Sequence, residues 1–131
     1  MGSWGVAAML TGGIAGCAGV VLDALSAHAL QSRLTSHDMN SLTTAARYLM
    51  LHGLLLIVVA GRLRQAASSR VLKAVVLLAA TGIVLFCGGL TAKVLTGMAV
   101  YGAAAPYGGT AFMAAWLGCA LHAVARPRSH S

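Results

Sequence analysis

The chain has 131 residues, 59% of them hydrophobic and 8% charged, with a formal net charge of +7 from nine basic and two acidic side chains. A soluble domain carries about 25% charged residues, so this composition excludes a water-soluble fold. Nucleic-acid binding is excluded as well: the basic residues sit at the ends of apolar stretches, where they report topology, and form no patch on one folded surface.

Trp4–Leu22, Leu49–Gly61, Ala74–Ala92 and Tyr107–Ala125 contain no Lys, Arg, Asp or Glu. An apolar helix of about 20 residues crosses a hydrocarbon layer of roughly 30 Å. The backbone must satisfy its own hydrogen bonds there, which leaves helices. The expected fold is all-α, a single four-helix transmembrane bundle over residues 1–131, with helices at about 4–30, 36–61, 69–96 and 107–125. No Lys or Arg precedes the first apolar run, so no signal peptide is expected. The connections are too short for a folded soluble domain, and no soluble-type active site is expected in them.

In the first helix Gly12, Gly16, Gly19 and Asp23 follow at i, i+4, i+7 and i+11 and share a face. Glycines on one face let a neighbouring helix approach closely. Thr35 followed by Asp38 resembles a capping box at the start of the second helix. The uncharged part of that helix, Tyr48–Gly61, is short for a span, so the turns around Arg47 must also enter the interface. Thr44, Arg47, Tyr48 and His52 lie on one of its faces by helical spacing.

Arg62, Arg64, Arg70 and Lys73 crowd the next connection, with Ser68 and Ser69 as turn residues. In the third helix Gly82, Phe86, Gly89 and Lys93 share a face, and Gly97 closes it. Leu95–Ala105 is apolar but interrupted by glycine, and reads as a surface loop rather than a re-entrant segment because it is too short to span. The fourth helix follows Pro106, with Gly108 and Gly109 in its first turn, and Arg126-Pro127-Arg128 stops it. Its Ala111, Ala114, Ala115 and Gly118 add further close-packing surface.

Orientation follows from the basic residues. Arg62, Arg64, Arg70, Lys73, Arg126 and Arg128 fall on one side; Arg33, Lys93 and Arg47 fall on the other. Both termini are therefore expected on the cytoplasmic or matrix side of a bacterial or mitochondrial inner membrane.

Several segments, in this order and spacing, resemble one family: Ala27-His28-Ala29-Leu30; Thr44-Ala45-Ala46-Arg47-Tyr48 with His52; Leu85-Phe86-Cys87 through Leu95-Thr96-Gly97; and Ala105-Pro106-Tyr107-Gly108-Gly109 with Trp116. The chain is similar over nearly its whole length to the domain-of-unknown-function-423 family, which includes bacterial inner-membrane proteins and the animal transmembrane-protein-256 group. The resemblance implies a four-helix membrane protein and supplies no reaction. Asp23 and Lys93 depart from the family pattern. Each lies near the outer end of its helix on a glycine face, so the two are expected to pair across the first and third helices.

His28 and His52 lie near the outer ends of adjacent helices. Two such histidines can hold a metal or a haem iron, but no carboxylate or cysteine stands at ligand spacing beside them, and hydrogen bonding that fixes helix packing is the reading preferred. Arg47 with Tyr48 reads as an interfacial snorkelling pair, with binding of a lipid headgroup or other anion as the alternative. Cys17, Cys87 and Cys119 fall inside spans and read as small buried residues. With Asp23 and Asp38 the only acids, carboxylate proton relay lacks material. No catalytic residue, metal or cofactor is expected. The expected role is that of a non-enzymatic accessory subunit or assembly partner, contacting the bilayer and other integral membrane subunits or a second copy of itself. The alternative is a small solute or ion transporter using the polar cluster His28, Arg47, Tyr48 and His52 with Asp23 and Lys93.

Overall fold

The computed structural model describes residues 2–125. Among them there are helices and connections but no strand. Helix α1 spans Ser3–His28, α2 Ser36–Leu63, α3 Arg70–Thr96, the short α4 Ala99–Gly102, and α5 Ala105–Ala125. The four long helices α1, α2, α3 and α5 are the expected spans. The stop at Arg126-Pro127-Arg128 lies outside the described residues.

Local chemistry sets the helix ends. The Thr35 hydroxyl accepts the N–H of Asp38 at 3.2 Å, and Asp38 faces the positive end of the α2 dipole. Ser69 caps α3 by accepting the Leu72 N–H at 3.2 Å. Gly97 ends α3 in the left-handed region, φ 70°, with its N–H on the Lys93 carbonyl at 2.9 Å. Thr96 then accepts the Met98 N–H at 3.2 Å. The segment expected as a loop thus contains the turn of helix α4, and α5 starts at Ala105, with Pro106 in a first turn where a missing N–H costs nothing.

The helices pack mainly in sequence order, α1 on α2, α2 on α3 and α3 on α5, and no comparable packing joins α1 to α5. The α1–α2 pair is the most extensive. Gly5, Ala8, Gly12, Ala15 and Gly19 are its buried residues, alternating at steps of three and four, the seam of a 3.5-residue repeat. A Cβ on Gly12 would lie 2.6 Å from the Gly53 carbonyl oxygen, and one on Gly53 would lie 2.7 Å from that of Gly12 and 2.9 Å from the Gly16 nitrogen. The two backbones therefore touch directly.

This seam corrects one expectation. The glycine face of α1 meets α2, not α3. Gly19 lies against Ala46 and Met50 of α2. On α3, Gly82 lies against Phe112, and Gly89 approaches the Tyr101 carbonyl oxygen, so that face meets α5 and the α4 connection. The 3.5-residue seam also runs from Gly19 to buried Ser26 and leaves Asp23 exposed. Lys93 lays its stem over Gly102, where an added Cβ would be 2.7 Å from its Cδ. Asp23 and Lys93 form no ion pair among the described residues.

The core divides by depth. Towards the end formed by the α2–α3 connection, Leu56, Val59, Ala60, Leu63, Val75 and Ala79 belong to one buried apolar cluster. Towards the other end Ala45, Cys87 and Phe112 form a smaller one. Ser69 and His122 share a hydrogen bond of 3.2 Å, which fixes the start of α3 beside the end of α5. Between the two clusters α3 departs from α geometry: Ile83–Gly88 is a π turn.

Candidate functional site: a lateral aromatic cleft

Helices α2 and α5 both pack on α3 but scarcely on each other. Large side chains bridge the space between them, and in front of these lies a cleft of about 470 Å³. Arg47, Tyr48, Leu51 and His52 line it from α2, Phe86 from the π turn, and Pro106, Gly109, Thr110, Phe112, Met113 and Trp116 from α5. Its volume falls in the range of ~300–1,000 Å³ usual for ligand sites.

His52 is its fixed point. The ring is 1% exposed. Its Nε2 receives the indole N–H of Trp116 at 3.1 Å. Indole nitrogen only donates, so Nε2 must be the acceptor, and the ring proton therefore sits on Nδ1. From there it is donated to the Tyr48 carbonyl at 2.8 Å. Phe112 stacks on the imidazole with ring centroids 3.5 Å apart and planes at 12°. Tyr48 stacks on the same imidazole at 5.5 Å and itself packs on the Phe86 ring at 4.7 Å. Both imidazole nitrogens are committed, so His52 has no lone pair for a metal. Among the described residues no three His, Cys, Asp or Glu side chains gather into a metal-sized group.

Glycine allows the wall to close. A Cβ on Gly108 would collide with the backbone nitrogen of Phe86 and lie 2.7 Å from its Cβ. On Gly109, one residue on and rotated by about a third of a turn, an added Cβ would stand an ordinary 3.8 Å from the Phe86 ring, and the residue lines the cleft. The close approach thus belongs to Gly108 alone, because only one of two successive helical residues can face the α3 backbone.

Of the polar cluster read from the sequence, the structure gathers Arg47, Tyr48 and His52 in the cleft. His28 is the last residue of α1, exposed, and outside the cleft. Sequence spacing did not find the partnership with Trp116, 64 positions away from His52, or the role of His122 as a tie to Ser69. The only sequence-level signal for the first was a buried-type polar residue and an indole, each needing a partner in an apolar chain.

The chain is 36% identical over 94 residues to a UPF0382 membrane protein of Staphylococcus aureus (strain bovine RF122 / ET3-1), covering 72% of this chain and 75% of that one. A second UPF0382 membrane protein, from Staphylococcus haemolyticus (strain JCSC1435), is 38% identical over the same shares. No solved structure matches the chain significantly. Residues 22–109, which hold α2, the π turn and most of the cleft, match the family described as "Protein of unknown function (DUF423)". This small four-helix membrane protein belongs to the DUF423 family.

Proposed function

We propose that the protein acts without catalysis, as an accessory subunit or assembly partner within a larger membrane complex. The observation that carries this reading is the open, sequence-ordered packing, which leaves α1 and α5 with one principal neighbour each. Val6, Leu10, Ile14 and Val20 of α1 and Met113, Leu117, Leu121 and Val124 of α5 face outwards. In a bilayer such faces meet lipid or another helix, and close-packed helix pairs gain from small residues alongside them. Gly13 and Cys17 of α1 and Ala120 of α5 are small and exposed. The orientation proposed with it places both termini on the cytoplasmic or matrix side, from the distribution of Lys and Arg.

Transport fits less well. The polar lining is confined to the Arg47–His52 cleft, and the apolar cluster around Leu56, Val59 and Val75 fills the opposite half.

Native purification in mild detergent after in-membrane crosslinking, followed by mass spectrometry, tests the reading. A stoichiometric integral membrane partner, or a defined homo-oligomer, is expected. Recovery of an uncrosslinked monomer across several detergents would overturn it.

A further inference from the structure

Arg47 is the one charged side chain in the cleft, and it makes no hydrogen bond or ion pair with any other described residue. Its depth makes that notable. Arg62 marks one boundary of α2, and 15 residues of helix at ~1.5 Å each place Arg47 about 22 Å from it, about 8 Å below the far edge of a hydrocarbon layer of roughly 30 Å and within side-chain reach of the headgroups there. An arginine at such depth faces a cavity and finds a polar partner, or snorkels to the interface. Both acids of the chain are elsewhere: Asp38 lies in the first turn of α2 and Asp23 on the exposed flank of α1.

The remaining polar atoms of the cleft wall are already used. His52 and Trp116 bond to each other, His52 also to the Tyr48 carbonyl, and the Thr110 hydroxyl donates to the Pro106 carbonyl at 2.9 Å. What stays open is the Arg47 guanidinium, with its fork of donors suited to an oxyanion, and the neighbouring Tyr48 hydroxyl. Leu51, Met113 and Trp116 extend the wall beyond Arg47 with apolar, partly exposed surface that opens sideways to the bilayer. A positive donor set at one end and an apolar trough behind it describe an amphiphile with an anionic head.

We propose that this cleft binds an anionic phospholipid of the surrounding leaflet, its phosphate on Arg47 and Tyr48 and one acyl chain along Leu51, Met113 and Trp116. The lateral opening leaves the second chain in the bilayer.

Trp116 provides the readout. With Trp4→Phe, it is the sole tryptophan. The full-length protein is reconstituted in phosphatidylcholine vesicles that contain a minor fraction of lipid brominated on its acyl chain. The brominated lipid is either phosphatidylglycerol or phosphatidylcholine, or a brominated free fatty acid takes its place. Phosphatidylglycerol should be enriched at Trp116 about fivefold over phosphatidylcholine, corresponding to the ~1 kcal/mol that one basic residue contributes beside anionic lipid. Arg47→Gln should abolish the preference and Arg47→Lys should retain part of it. Equal quenching by the two phospholipids in the Trp4→Phe protein overturns the proposal without any further variant. Preferential quenching by the fatty acid overturns it in favour of a carboxylate ligand. A preference that survives in folded Arg47→Gln overturns the role of Arg47.

Discussion

Among the described residues Trp116 supplies the only donor to His52 Nε2, and removing it leaves a buried acceptor without that partner. Trp116→Phe keeps most of the ring area and deletes the N–H. Interhelical hydrogen bonds in membranes contribute about 0.6–2 kcal/mol, so this substitution should lower stability in detergent by about 1 kcal/mol. The same bond dictates the tautomer. In ¹⁵N spectra of labelled protein, His52 should carry its proton on Nδ1; a proton on Nε2 would mean that Trp116 does not donate to it. Gly108 and Gly109 make the second test at this scale. Gly108→Ala meets the Phe86 backbone and should cost about 1–3 kcal/mol through overpacking, whereas Gly109→Ala meets only the ring edge at 3.8 Å and should stay within about 0.5 kcal/mol. Thermal unfolding of the two proteins side by side separates them, and equal losses would remove the distinction.

Between elements, the α1–α2 seam is the largest packed surface and it is made of backbone. Gly53→Ala inserts a Cβ against atoms of both Gly12 and Gly16, neither of which can turn aside as a side chain would. It should destabilise by about 1–3 kcal/mol, while Gly13→Ala, which points into open space, should be silent. A silent Gly53→Ala would show that α1 stands further from α2 than described. The seam also marks how far the sequence was readable. Spans, the Thr35 and Ser69 ends and the Gly97 stop are properties of a few adjacent residues, and hydropathy and capping chemistry disclose them. The glycine faces were legible as faces, but not their partners: nothing in Gly12-Gly16-Gly19 says whether α2 or α3 lies opposite. The assumption that the glycine faces of α1 and α3 meet each other produced the Asp23–Lys93 pair, which does not form among the described residues. The π turn at Ile83–Gly88 left no trace in the sequence, and the close approach of Gly108 to Phe86 within it was equally hidden, since both depend on how α5 meets α3.

For the whole molecule, the Ser69–His122 bond puts the α2–α3 connection and the end of α5 on one side of the bundle. Ser36, at the start of α2, belongs to the opposite side. In a background without native cysteines, Ser36→Cys and Ser68→Cys should react with a membrane-impermeant thiol reagent from opposite faces of sealed vesicles. Ser68 serves better than Ser69, since it is exposed and takes no part in the cap. Labelling of both from one face would contradict the four-span topology. Arg47, Tyr48 and His52 were recognisable as neighbours on one helix, yet the cleft itself was not: its other wall comes from α5, and only the full arrangement of helices brings Phe86, Phe112 and Trp116 to it.

Packing in sequence order also bears on biogenesis. α2 finds its main neighbour in α1, and α5 finds its own in α3, the long helix made before it, so contacts are largely local and chain closure over long loops is largely avoided. The α1–α2 hairpin can seat its backbone seam while α3 is still on the ribosome. His52, however, then waits in the membrane with Nε2 unsatisfied until Trp116 arrives with α5. Late insertion of α5 is thus the step that completes the polar core, and a chain truncated before it should present an exposed, half-paired imidazole to the quality-control proteases of the membrane.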